Sequence, residues 1–309
     1  MPQTVPINLH DKITAALIAP ESCLWFPHLT FDLAQTGWQR LEKESGITES
    51  NYGTARVILN DADVRRDIVY TLPIKSRTEE DENMLSVELL PKSIADQYKE
   101  SGANFYTPEE FFSKGHIHNE ILDCLNDAFD IIRQVPSLFE TVTSLVKSIH
   151  LIKPETDDYD VSFSEPNIPF SIFISIPRQN NKLNALRVAE AIVHEAMHLQ
   201  LTLIEQLIPI AIATDKKYFS PWKSEYRTPQ GVIHALYVFR VIEEFFYNFS
   251  YNSNLDINLL NHAQTRRQEI ESQISEIESF IFCPDLTEIG KNFTKQLIYK
   301  QRANCQERF

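Results

Sequence analysis

Between residues 120 and 150 the apolar positions Ile121, Leu122, Leu125, Phe129 and Ile132 recur at the spacing of one helix face. Pro136 interrupts the run and predicts two helices or one kinked helix. The period then shortens to two. Tyr159, Val161 and Phe163 alternate with polar residues, as do Phe170, Ile172, Ile174 and Ile176, with Glu-Pro-Asn-Ile-Pro between the runs. That pattern predicts a hairpin or a strand pair. Helical spacing returns from about Asn184 to Leu207 and again from about Pro229 to Phe249. Thr228 suits the N-cap of the second helix and Pro229 its first position. Ile270, Ile274, Ile277 and Ile281 share a face of a further helix, expected to pair with residues 288–303. Residues 1–120 mix short apolar runs with acidic stretches and carry no repeat. The expected protein is mainly α with a small β element. An N-terminal helical region over 1–150, with a boundary somewhere in 115–155, precedes a second region over 151–309.

Composition narrows the class. In 309 residues, 43% hydrophobic and 11% aromatic content is ample for a packed core, and seven glycines favour helices over turn-rich sandwiches. The net charge of −14 excludes the basic footprint that a nucleic-acid partner requires. No apolar run approaches the roughly 20 residues of a membrane span, and the N-terminus has no signal-peptide pattern. Cys23, Cys124, Cys283 and Cys305 lack paired spacing and read as reduced thiols. A cytoplasmic protein, bound neither to membrane nor to nucleic acid, is expected.

The helix over 184–207 contains His194-Glu195-Ala196-Met197-His198. Four residues advance a helix by about 400°, so both histidines leave one face a turn apart. Their nitrogens can then meet one divalent ion at about 2.0–2.1 Å. Glu195, about 100° round from His194, can sit beside such an ion without binding it, and in metallopeptidases a glutamate there takes a proton from water. Ile192, Val193, Met197, Leu199, Leu201 and Leu203 surround the pair with hydrocarbon, where unliganded histidines would be costly.

Two histidines need a third ligand. Positions 201 and 204, where one extended form of the motif has glycine and histidine, hold Leu201 and Ile204. Glu205 shares the histidine face but lies nearly two turns beyond His198, too far to reach the same ion. The next helix offers His234, Glu243 and Glu244. His234, among Val232, Ile233, Ala235 and Tyr237, is the expected ligand; a buried structural histidine is the other reading. Glu244 is the substitute ligand, or an acceptor for a ligand imidazole.

The run from Phe219 to Phe239 contains Ser220-Pro221-Trp222-Lys223, then Arg227, Pro229, Gly231 and His234. It resembles the segment after the histidine pair in the HExxH-type α-ketoglutarate-dependent peptide β-hydroxylases of peptide natural-product pathways. Lys223 stands where that family usually has arginine, and Thr228 separates Arg227 from Pro229. The likeness covers about 160–250. It implies a zincin-like active-site helix, preceded by the strand pair and followed by a second ligand-bearing helix. It further implies non-haem Fe(II) on His194, His198 and His234, α-ketoglutarate as cosubstrate, dioxygen, and a ribosomally made precursor peptide as the partner that is hydroxylated.

Such chemistry requires a cation for the distal carboxylate of α-ketoglutarate, which a guanidinium meets bidentately. Arg227 is the candidate and Lys223 the alternative, unless Arg227 simply pairs with Glu225. Trp222 is a candidate wall of that pocket or a core tryptophan. Glu195 then orients water, contacts substrate, or acts as acid or base. Two other readings compete. A zinc metallopeptidase would use Zn(II), Glu195 and a glutamate ligand such as Glu244. A silent peptide-binding protein would surround a structural metal with four ligands.

Overall fold

Pro136 opens a new helix rather than kinking an old one. The computed structural model describes residues 8–18, 23–46, 48, 67–75, 82–90, 96, 104–113, 115–156, 160–165, 169–251 and 256–299. Tyr159, residues 300–303 and Cys305 lie outside them. In chain order the elements are α1 (Leu9–Ile18), α2 (Pro27–Ser45), β1 (Asp67–Lys75), β2 (Glu82–Leu89), α3 (Pro108–Ser113), α4 (Gly115–Arg133), α5 (Pro136–Leu145), β3 (Ser148–Ile152), β4 (Ser162–Ser164), β5 (Ser171–Ser175) and α6 (Lys182–Glu205). There follow β6 (Tyr218–Ser220), β7 (Glu225–Arg227), α7 (Pro229–Phe249), α8 (Ile257–Glu276), a 3-10 helix (Glu278–Phe282) and α9 (Glu288–Tyr299). The architecture is mostly helical with a small β component.

The chain divides into two compact units, Ala34–Leu199 and Met1–Leu33 with Gln200–Phe309. The division runs through α2 and α6, so both helices belong partly to each unit. The expected boundary at 115–155 falls inside the first of these units.

In the Ala34–Leu199 unit five strands form one sheet in the order β1-β2-β3-β5-β4. β1 and β2 are antiparallel, β2, β3 and β5 run parallel, and β4 returns antiparallel on β5. The expected hairpin is thus β4–β5, but β5 also pairs with β3, whose residues read as the tail of a helical run. Every residue of β3 and β5 is buried, as befits strands covered on both faces. The hydroxyls of Ser148 on β3 and Ser171 on β5 lie 2.7 Å apart, and on the neighbouring β2 the Ser86 hydroxyl donates to Glu88 at 2.7 Å.

In the other unit α7 packs on α8, and α9 packs on α1, the 3-10 helix and α7. The isoleucine run splits: α8 packs on α7, while the 3-10 helix that carries Ile281 packs on α9, within the segment expected to pair with the run. Ile270, Ile274 and Ile277 are buried, while the turn into the 3-10 helix carries Ile281 off that face. Gly290, near the start of α9, meets the chain at Ile210 so closely that a Cβ there would lie 2.0 Å from the Ile210 carbonyl oxygen. A turn over Cys23–Phe26 is tied down by three buried groups. Glu244 accepts the Leu24 amide at 3.2 Å, and Gln200 donates to the Trp25 carbonyl and to Thr30 Oγ1, each at 2.8 Å. The Tyr237 hydroxyl donates to Gln200 and to the Leu24 carbonyl.

Cys124 and Cys283 are buried free thiols. Burial beside Asp127 pushes the Cys124 thiol up to about 12. Cys23 is disulfide-bonded, which corrects the reading of all four cysteines as reduced. Among the described residues no helix is long and apolar enough to cross a membrane.

Candidate metal centre

The Asn181 side chain accepts the Asn184 amide and caps the start of α6. Beyond its exposed first residues, Lys182 and Leu183, most positions of that helix are buried. A half-buried stripe of Arg187, Ala191, His194, His198, Thr202 and Glu205 runs along it, flanked by Glu190 and Leu203. The three-to-four spacing of the stripe places both motif histidines on one accessible line; of the apolar residues expected around them, Ile192, Val193, Met197, Leu199 and Leu201 are buried on the remaining faces, while Leu203 borders the stripe.

His194 and His198 turn their Nε2 atoms toward each other at 3.2 Å. Two nitrogens at about 2.0–2.1 Å from one ion and this far apart subtend roughly 100° at it, the angle of adjacent ligands in tetrahedral or octahedral sites. Glu195 is 2% exposed, and its Oε1 lies 3.9 Å from His194 Nε2. The same oxygen accepts the Ser162 hydroxyl at 2.7 Å. The motif therefore presents two converging imidazoles and a carboxylate fixed from the sheet.

β4, which carries Ser162, is an edge of its sheet. The Ser175 amide donates to the Val161 carbonyl, and pairing continues through Phe163↔Phe173. Hydrogen-bonded and non-bonded pairs alternate in an antiparallel ladder. The backbone groups of Ser162 and Ser164 accordingly point away from β5, along the strand edge beside Glu195.

The run from Ser220 to His234 forms a hairpin followed by α7. β6 and β7 pair as Tyr218↔Arg227, Phe219↔Tyr226 and Ser220↔Glu225, with Ser224 at φ 50° in the turn. Thr228 caps α7 by accepting the Gly231 amide at 3.2 Å, with Pro229 in its first turn, as the sequence predicted. Trp222 stacks on Phe239 with ring centroids 5.2 Å apart. The buried Ser220 hydroxyl and Trp222 indole nitrogen have no hydrogen-bond partner among the described residues. Lys223 is exposed at the tip. Arg227 Nε lies 3.4 Å from Glu225 in a solvent-exposed pair, the alternative considered for it. Its side chain also crosses the first turn of α7, where a Cβ on Gly231 would touch Arg227 Cβ and Nε at 3.4 Å.

His234 Nε2 meets Glu205 Oε2 at 2.8 Å, and Gln230 donates to the same oxygen at 2.7 Å. Glu244 is buried with its carboxylate on the Leu24 amide, and Glu243 is buried between Arg240 and Arg267. Among the described residues no group of three or more histidine, cysteine, aspartate or glutamate side chains is gathered as a metal site; the two α6 histidines stand as a pair with their Nε2 atoms facing. Sequence reasoning missed Ser162 and the pairing of Glu205. Ser162 had no signal beyond its strand position, whereas Glu205 had one in its place on the histidine stripe.

A surface cavity of about 270 Å³ lies at β6 and the 3-10 helix, lined by Tyr218, Phe219, Ile277, Phe280, Phe282 and Cys283. Beside it Asp285 accepts the Tyr218 hydroxyl and Lys216 Nζ. These contacts hold the Asp285 carboxyl below its usual range and the Tyr218 phenol above its own.

Neither a family model nor a curated protein matches this sequence.

Proposed function

We propose that the chain is a non-haem Fe(II)/α-ketoglutarate-dependent oxygenase that β-hydroxylates a residue of a ribosomally made precursor peptide. The observation that carries the metal is the convergence of His194 and His198 Nε2 at 3.2 Å. His234 is the third ligand, an assignment that comes from the sequence pattern. The reaction class rests on the resemblance of the Ser220–His234 run.

The donors in that run suit a dicarboxylate. Among the described residues Arg227 makes an exposed ion pair with Glu225, an interaction worth little in water. The Ser220 hydroxyl and Trp222 indole N–H are buried donors with no acceptor among the described residues, and leaving such groups unsatisfied is costly. Arg227, with Lys223 as alternative, holds the distal carboxylate of α-ketoglutarate, and Trp222 forms a wall of that pocket. When bound, the iron and its cosubstrate supply an oxidation by dioxygen that converts C–H to C–OH and releases succinate and carbon dioxide. An extended peptide pairs with the outward backbone groups of Ser162 and Ser164. Glu195, fixed by Ser162, accepts a hydrogen bond from the peptide so placed.

Anaerobic addition of Fe(II) and then α-ketoglutarate should produce a visible charge-transfer band that Zn(II) does not give, together with a rise in thermal stability. No change in either would overturn the proposal. The placement of Glu195 beside the pair and next to a strand edge also favours a zinc metallopeptidase. Peptide cleavage by the Zn(II) protein, without any α-ketoglutarate response, would decide for that reading.

A further inference from the structure

The cavity of about 270 Å³ at β6 and the 3-10 helix is built entirely from the Gln200–Phe309 segment. Four of the side chains that line it are aromatic: Tyr218, Phe219, Phe280 and Phe282. Among the described residues that line it, Glu276 is the single charged one, and it is exposed. The inner walls are fixed. Ile277 and Phe280 are buried, and the 3-10 helix closes on itself from the Phe280 amide to the Ile277 carbonyl at 2.8 Å. Tyr218 stands against Phe280 with ring centroids 5.7 Å and planes 70° apart, so the two rings make a corner. The Tyr218 hydroxyl is tied to Asp285, which also accepts Lys216 Nζ at 3.1 Å. That pairing matches the Lys216 charge with a carboxylate of its own.

The outer rings differ: Phe282 is 79% exposed and Phe219 39%. A single phenylalanine in water is ordinary, but two that border one concavity, joined by a carboxylate, ask for a ligand. Aromatic faces carry negative charge density and attract an organic cation, and several rings around one cation add their pull. An anion would meet no basic residue among those described in the lining, and a neutral apolar group would cover Glu276 without offering it a partner. The volume lies just below the roughly 300–1,000 Å³ of sites for drug-sized ligands, which suits a group of side-chain size. We propose that this pocket binds an organic cation, either a quaternary ammonium or the guanidinium or ammonium of a peptide side chain. Tyr218, Phe219, Phe280 and Phe282 hold it by cation–π contact, and Glu276 supplies the counter-charge. The net charge of −14 raises the local concentration of such cations. The site owes nothing to the metal reading, because every residue in it lies between 216 and 285.

The test titrates the full chain with two charged ligands and their neutral counterparts, followed by ligand-observed NMR. Choline is compared with its isostere that has carbon in place of the nitrogen, and capped arginine with capped citrulline. At least one cation should bind about tenfold or more tightly than its neutral counterpart. Capped arginine binding more tightly than choline assigns the pocket to a peptide side chain, and the reverse order to a free quaternary ammonium. Phe282→Leu keeps an apolar side chain at an exposed position but removes a ring. It should lower the affinity of the cation about 3–10-fold and leave that of the neutral ligand unchanged. Glu276→Gln, also at an exposed position, should weaken the cation and flatten the salt dependence of its binding. If neither cation outbinds its neutral counterpart, or if the variants weaken charged and neutral ligands equally, the proposal is wrong.

Discussion

The hydroxyl of Ser162, on an edge strand, donates to the carboxylate of Glu195, on the motif helix, at 2.7 Å. It ties a nearly inaccessible acid to the place where an extended chain can join the sheet. Ser162→Ala would leave that oxygen without its donor. The expected loss is about 1–2 kcal/mol, measured by urea unfolding of the metal-free protein, because a buried charged acceptor loses one hydrogen bond.

Ser164 contributes an amide that points off the sheet. Proline there removes no bond to β5, yet deletes a donor from the outer edge. Ser164→Pro is expected to raise KM for the peptide several-fold while Co(II) affinity stays at the wild-type value. An unchanged KM would exclude the edge as the peptide track.

Arg227→Ala should weaken α-ketoglutarate binding by roughly 10–100-fold, the scale of one charge-assisted hydrogen-bonded pair. Metal affinity should move far less. Titration calorimetry of the two ligands separates these effects, and equal losses would indicate damage to the hairpin.

Gly290→Ala places a methyl group where 2.0 Å separates it from a carbonyl oxygen. The chain at Ile210 and the start of α9 must part to admit it. A destabilisation of about 1–3 kcal/mol or more is expected in thermal or urea unfolding.

Acid should loosen the hairpin side of the molecule. The Tyr218 hydroxyl, followed by Lys216, lowers the Asp285 carboxyl below its ordinary 3.8. A depressed pKa contributes stability that is present above 3.8 and is lost as pH falls through the lower folded value. Asp285→Asn should therefore flatten the stability profile below about pH 4, read by chemical denaturation at stepped pH.

Much of the helical part was legible because its signals are local. Thr228 and Pro229 announce the start of α7, and the histidine spacing alone places both rings on one line. Inner strands were not legible. Ser-Ile-His-Leu-Ile in β3 is buried on both faces, so no alternation betrays it, and its neighbours β2 and β5 come from distant parts of the chain. Helix partners were legible in part: the 3-10 end of the isoleucine run meets α9 as its pattern suggested, but nothing local marks α7 as the partner of α8. Glu205 was read by its distance from His198, whereas its contacts come from α7, which no single-helix argument contains.

The turn at Cys23–Phe26 sets a practical limit on shortening this protein. Trimming the chain past residue 30 would remove the Leu24 amide from Glu244 and both acceptors from the Gln200 amide nitrogen, costing a buried carboxylate and a buried amide these bonds. Such truncations should be recovered as insoluble material even though they spare every residue of the histidine motif.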